Sequence, residues 1–219
     1  MKPILFSGPL VRAILDGRKT VTRRPVKLRE FGPSTTRGYD WTFRDRRMRW
    51  NDVSSEKLLD WSPCGKTGDR LWVREKWASA FSHGCWGTLF AADMAFVPSN
   101  RQHVHGPIAN ANDPPPHITW RPSIHMPRWA SRITLRVTDV RVEHLQDITD
   151  DDAQREGVTP LDMIGKDQRI FGDELHRTNG SDPHVLSFVV TWDTIYDDRH
   201  SLMWASNPWV WRVEFEVSS

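Results

Sequence analysis

The sequence predicts one strand-rich α+β domain in which the first and last strands close a β-barrel. Three observations predict it. Short β-prone runs are spread along the whole chain with only brief helical stretches between them. The first run, Lys2–Phe6, and the last, Trp209–Val217, are both apolar, and joining them removes two exposed sheet edges. The 219 residues suffice for one elaborated core.

After the first strand, Ser7-Gly8-Pro9 opens a helix, with Ser7 as its cap and Pro9 tolerated in the first turn. Leu10, Val11, Ile14 and Leu15 fall at helical spacing, and Gly17 is a natural stop. Thr20–Val26 is β-prone and ends near Pro25. Residues 27–60 are Arg-rich and read as an insertion. The turn Lys66-Thr67-Gly68-Asp69 leads into a strand over Arg70–Glu75. Residues 81–122, rich in Pro, His, Asn and Gly, read as a long loop that folds over or beside a pocket mouth. Ser131–Leu145 alternates, with a turn or bulge between Val137 and Val140. Thr149 caps a short helix whose first turn holds Asp150, Asp151 and Asp152, where the helix dipole favours negative charge, and Gly157 ends it. A further insertion at 163–183 contains an Asn179-Gly180 turn, and Val185–Tyr196 reads as helix.

Composition narrows the function classes. Net charge is +2, too small to argue for nucleic acid. Its distribution is uneven: residues 10–50 hold twelve Lys/Arg against four Asp/Glu, and residues 139–175 hold four against eleven. That pattern fits a basic binding face, or two faces that partly pair. Twelve Trp against two Tyr suggests aromatic core edges and stacking sites. Two cysteines make no disulfide scaffold and fit a reducing compartment. The apolar stretch Pro3–Val11 is broken by Arg12 with no small-residue cleavage site after it, and no run reaches membrane-span length. A cytoplasmic protein without membrane contact is expected. His103-x-His105 with His117, and His83-x-Cys85 with Cys64, match no zinc-module spacing, so no metal is expected. A phosphate-cradling Gly-rich loop, Gly-x-Ser-x-Gly and a paired-Asp nuclease motif are all missing, and no cofactor is expected.

The segment Ile14–Arg24 carries the most chemistry. A helix stops at Gly17 and a strand begins near Thr20, so Thr20, Thr22 and Arg24 share one strand face while Val21 and Arg23 point away. Lys19, at the junction, leans over the same face. On the strand after the Thr67-Gly68-Asp69 turn, Trp72 and Arg74 face one side and Val73 and Glu75 the other. Core packing suits Trp72, Glu75 is a candidate to line the pocket, and Trp77 is a candidate to stack on a base. Arg128-Trp129 joins a cation to an aromatic plane, suited to holding a base or phosphate or to a structural cation–π contact.

Gly17, Lys19 and Arg24 match the Gly-x-Lys-x-x-x-x-Arg hallmark of the ASCH-domain family, a branch of the PUA-like barrels, and the chain resembles that family. Four further pieces follow in the family's order: the Thr67-Gly68-Asp69 turn before Leu71-Trp72-Val73, a β-hairpin region at 132–145, the acidic helix Ile148–Gly157, and the aromatic strand Trp209–Phe215. The resemblance implies a PUA-like β-barrel with loop insertions. Around the hallmark the chain is similar to bacterial N4-acetylcytidine amidohydrolases, which implies catalytic roles for Lys19, Thr22 and Glu156. Those enzymes are shorter, with no counterpart of residues 27–60 or 81–122. Through Arg121–Ser131 the chain also resembles a larger ASCH type of phage and prophage genomes.

The expected function is metal-independent removal of an acyl group from a modified nucleobase or nucleoside, most simply N4-acetylcytidine. Thr22 is the nucleophile, and a partly neutral Lys19 is its base. Glu156 orients Lys19 or protonates the departing amine, or merely forms a salt bridge that ties a loop to a helix. Thr20, Arg24, Glu75, Trp77, Arg128 and Trp129 are the candidate substrate contacts. Two rivals use the same residues: a non-catalytic module that binds RNA or single-stranded nucleic acid, and a nuclease.

Overall fold

The computed structural model describes residues 1–82, 85–98, 118–158 and 183–218. In chain order the elements are β1 (Lys2–Leu5), α1 (Gly8–Leu15), β2 (Val21–Pro25), β3 (Arg29–Pro33), β4 (Trp41–Arg44), β5 (Trp50–Val53) and α2 (Ser55–Leu59). Then come β6 (Arg70–Arg74), β7 (Trp77–Ser82), β8 (Cys85–Phe90), β9 (Phe96–Pro98) and β10 (Thr134–His144). The chain ends with α3 (Asp150–Arg155), α4 (Pro183–Tyr196) and β11 (Trp209–Ser218). The fold is mixed α+β, rich in strands, with short helices.

A five-stranded sheet in the order β1-β6-β10-β11-β2 organises the chain. The apolar first and last strands therefore lie in one sheet, as the sequence predicts. β1 and β6 pair parallel, and the other neighbours pair antiparallel. Period-2 alternation gives the sheet two apolar faces. Ile4, Leu71, Val73, Leu135, Val137, Val213 and Phe215 share one core cluster with Val11 and Ile14 of α1. Leu145 and Val210 share a second with Ala153 of α3 and Val185, Phe188, Val189 and Trp192 of α4. These contacts explain why α4 is helical despite its β-branched residues: burial of one face outweighs propensity.

Residues 132–145 depart from the expected hairpin. They form the single strand β10, whose register against β11 shifts between Val137 and Asp139. The segment Val137-Thr138-Asp139-Val140 has no Asn-Gly or Gly pair to make a tight hairpin turn, so the extra residue becomes a bulge. Trp72 is buried, as expected, though apart from the core cluster that takes Leu71 and Val73.

Residues 27–60 fold as the antiparallel sheet β3-β4-β5 followed by α2. Aromatic rings dock this sheet onto the start of β11. Phe31 stacks on Trp41 at 4.9 Å, and both meet Trp209 edge-on at 5.9 and 5.1 Å. His144 stacks on Trp209 from β10 at 3.7 Å. Within 81–122 the described residues complete a third sheet, β7-β8-β9. Residues 83–84 and 99–117 of that loop, and the 163–183 insertion up to residue 182 with its Asn179-Gly180 turn, lie outside the described residues. Among the described residues no helix is long and apolar enough to cross a membrane.

Trp209 joins three elements through its ring, so Trp209→Ala should lower stability by about 2 kcal/mol. It should also loosen residues 29–53 selectively. Urea unfolding with hydrogen exchange checks both; an unchanged midpoint with unchanged protection would contradict the docking role.

Candidate active site

The position of Lys19 follows from two glycines. Gly17 ends α1 in the left-handed region, at φ +74°, which glycine adopts without penalty. The backbone N–H groups of Arg18 and Lys19 then both donate to Ala13 O at 2.9 Å. Gly157 closes α3 at φ +77°, and a Cβ there would sit 2.7 Å from the Cβ atoms of both Ala13 and Lys19. Only a glycine lets the end of α3 come this close.

Lys19 is 2% exposed. Its ammonium donates three hydrogen bonds: to Val21 O at 2.7 Å, Glu156 O at 2.8 Å and Glu156 Oε2 at 2.6 Å. The salt bridge that ties loop to helix is therefore present. Burial pushes the Lys19 pKa below its ordinary value of 10.5. The Glu156 carboxylate opposes that shift, and the Arg24 and Arg23 guanidiniums add to it.

Behind Glu156 lies a buried ion network. Arg23 Nη1 donates to Glu156 Oε1 at 3.3 Å, and Arg23 Nη2 donates to Asp152 Oδ2 at 2.6 Å and Glu143 Oε1 at 2.7 Å. Arg212 holds the Asp152 carboxylate from Nε at 2.9 Å and Nη2 at 2.6 Å. Burial alone would raise the Asp152 pKa, but the bonds from Arg212 and Arg23 outweigh it and hold the carboxyl at about 2. The basic and acidic segments of the sequence thus meet inside the protein, as two faces that pair.

Lys19, Thr22, Arg24 and Glu156 line one narrow cavity of about 30 Å³, with Phe188 and Tyr196 among its other walls. Thr22 is 1% exposed, and no described residue hydrogen-bonds its hydroxyl. Lys19 and Arg24 lie over the Phe6 ring, at 5.4 and 5.3 Å from its centre. A larger cavity of about 360 Å³ shares Arg24 and Tyr196 with the small one and is lined further by Lys27, Trp61, Arg199 and Trp211. A volume of this size is typical of small-molecule sites. Arranged this way, the residues can offer a hydroxyl, a buried amine and a carboxylate to a group entering past Arg24.

The remaining candidate contacts are placed elsewhere. Thr20 precedes β2, and its Oγ1 accepts from Arg155 Nε at 3.2 Å; it lines neither cavity. Glu75 is bound by Arg132 through both carboxylate oxygens, each at 2.9 Å, and Arg132 also binds Asp93. Trp77 is buried with Phe90, Met126 and Ala130, while Trp129 is 60% exposed. Arg128 lies 5.9 Å from the ring centre of Trp72. Glu75, Trp77, Arg128 and Trp129 line neither cavity, nor do described residues of 81–122. Sequence reasoning missed Arg23, Glu143, Asp152 and Arg212. A signal was available for Asp152: of the three acidic residues in the first turn of α3 it is the one four residues before Glu156, and the only one that is buried.

Among the described residues no cluster of three His, Cys, Asp or Glu side chains is placed to hold a metal ion. His83, His103, His105 and His117 lie outside the described residues. Comparison of the chain with protein-family models, curated proteins and solved structures finds no match.

The folded Asp152 pKa lies below its unfolded value of 3.8, so its stabilisation is present above that value and disappears as pH falls through about 2. The shift is worth about 2 kcal/mol. Asp152→Asn should lose at least that much at pH 7, and its deficit against the parent should shrink between pH 4 and pH 2. A deficit independent of pH would mean that the charge of Asp152 is not what the network uses.

Proposed function

We propose that the protein is a metal-independent amidohydrolase of PUA-like, ASCH type, acting on N4-acylated cytosine nucleosides. The observation that supports it is a buried lysine of lowered pKa on the same cavity as a threonine hydroxyl that no described residue engages and a buried glutamate. The closed barrel of that family belongs to the same proposal: the five paired strands would close through the β1 and β2 ends, where Arg24 Nη2 of β2 donates to Leu5 O of β1 at 2.9 Å.

In this reading the base and sugar occupy the larger cavity and the acyl group enters the small one. Neutral Lys19 donates two hydrogen bonds instead of three, and the freed lone pair takes the Thr22 hydroxyl proton. Thr22 Oγ bonds to the acyl carbon, the carbon–nitrogen bond breaks, and the proton on Lys19 passes to the departing cytosine amine. Lys19 then deprotonates a water that bonds to the acyl carbon; the carbon–Oγ bond breaks, the proton on Lys19 returns to Thr22 Oγ, and the acid is released. Glu156 holds Lys19 in line.

A second reading is favoured by one observation. Every donor of Lys19 already has a buried acceptor, which suits a fixed strut in a non-catalytic base-binding module. Turnover separates the two. With N4-acetylcytidine, with and without chelator, the amidohydrolase releases acetate in both cases, and the module releases none. Thr22→Val keeps the shape and breaks no described hydrogen bond. It should abolish turnover with a thermal midpoint within about a degree or two of the parent. An active Thr22→Val protein rules out the nucleophile.

Activity should rise with pH through the lowered Lys19 pKa, because the neutral amine is the working form. Arg24 contributes to that lowering, so Arg24→Gln should move the rising limb to higher pH. A flat profile in both proteins would remove Lys19 as base.

A further inference from the structure

The residues that the sequence singles out and the cavities do not absorb gather on one surface beside β6. Trp72 is held between two guanidiniums, Arg74 at 4.6 Å and Arg128 at 5.9 Å from its ring centre. Arg121 lies 5.1 Å from the Trp77 ring, and Trp129 meets the same ring edge-on at 5.9 Å. Lys76 lies 5.9 Å from the Trp120 ring. Chain connectivity keeps the groups together: Lys76 precedes Trp77, Arg128 precedes Trp129, and the Trp77 and Arg121 backbones bond in both directions at 3.2 and 2.7 Å.

The charges here differ from those of the interior. Among the described residues none of Arg74, Lys76, Arg121 and Arg128 forms an ion pair, whereas neighbouring Arg132 is neutralised by Glu75 and Asp93. Arg74 Nε is buried without a hydrogen-bond partner. Four unpaired cations in one region exceed the +2 of the whole chain. The guanidiniums of Arg74, Arg121 and Arg128 and the Lys76 ammonium lie over indole rings, a placement that still lets their N–H groups bond an anion. Trp129, 60% exposed, offers an indole surface to solvent.

We infer that this surface binds single-stranded nucleic acid, with phosphates on Arg74, Lys76, Arg121 and Arg128 and an unstacked base on Trp129. Phosphates alone would account for the cations but leave the exposed indole unused. A duplex keeps its bases stacked and cannot use it. A membrane would need apolar rings to insert, and guanidiniums cap Trp72 and Trp77. The inference concerns binding and holds whether or not the cavity turns over a substrate.

The test is fluorescence anisotropy with a labelled oligothymidylate across a salt series. The parent should bind with a marked salt dependence. Arg74→Gln with Arg128→Gln should lower the slope of log K against log salt by about 1.4, from about 0.7 for each lost phosphate contact. Trp129→Ala removes an exposed side chain and should weaken oligothymidylate about tenfold while leaving an abasic oligomer unaffected. Thr22→Val should bind like the parent. The inference is overturned if oligothymidylate does not bind, if these substitutions leave binding unchanged, or if a matched duplex, polyglutamate or anionic vesicles bind as tightly. A parent protein that binds oligothymidylate but releases no acetate from N4-acetylcytidine would sink the amidohydrolase proposal alone.

Discussion

Arg23 carries a guanidinium whose side chain has no contact with solvent. Every other feature around the site accommodates that fact. Three carboxylates, Glu143, Asp152 and Glu156, surround it from β10 and α3. A helix of six residues has little stability of its own, and these ion pairs, with Ala153 in the second core cluster, keep α3 against β2 and β11. Removing one partner from such a pair strands a buried charge, at about 3–5 kcal/mol. Lys19 completes the balance by pairing with Glu156. It also holds its proton less tightly than an ordinary lysine, because its burial outweighs the pull of Glu156. The arrangement that holds the helix thus also sets the proton affinity of the lysine.

Much of this was legible locally. Thr149 caps α3 by accepting from the Asp152 N–H, Gly17 and Gly157 stop their helices at positive φ, and alternation puts Leu71 and Val73 in the core. What failed depends on distance along the sheet. Glu75 and the Thr22 strand look like walls of one pocket, yet β10 and β11 stand between β6 and β2. Alternation set Arg23 away from Thr22 and Arg24, yet all three line the small cavity. It could not show that Glu156, at the end of α3, is within reach of both Lys19 and Arg23. The face assigned to Thr20 assumed that the strand starts there, but its N–H is taken by Arg155 O and its hydroxyl by the Arg155 side chain. Residues 27–60 gave no clear reading because their strands are short and two-sided, and their order comes from aromatic docking on Trp209.

Charge counted along the chain shows only part of the arrangement. Of the basic excess of residues 10–50, Lys19 and Arg23 meet the acidic excess of 139–175 in buried contacts with Glu143, Asp152 and Glu156. Arg74, Lys76, Arg121 and Arg128, which form no ion pair among the described residues, lie outside both segments. Tryptophan usage divides in a similar way. Trp192, Trp204 and Trp211 fill cores, while Trp72 and Trp77, also buried, carry guanidiniums over their rings. A guanidinium held on an indole keeps its edge hydrogen bonds available. One in a buried carboxylate network does not.

Within the small cavity the groups are unequal in their engagement. Lys19 has three acceptors, and Glu156 receives both Lys19 and Arg23. Arg24 donates to Arg23 O and Leu5 O. Thr22 has a hydroxyl that no described residue engages, at a nearly buried strand position where valine has the same shape and no desolvation penalty. The Thr22 hydroxyl is not among the buried polar atoms left without a partner, so it keeps contact with the adjoining space, which is about one water in size. The backbone of β2 pairs with β11 whatever the side chain, so the strand itself does not call for a hydroxyl there. That space lies beside a lysine whose charged form burial disfavours, and a threonine, unlike a valine, turns a polar atom towards it.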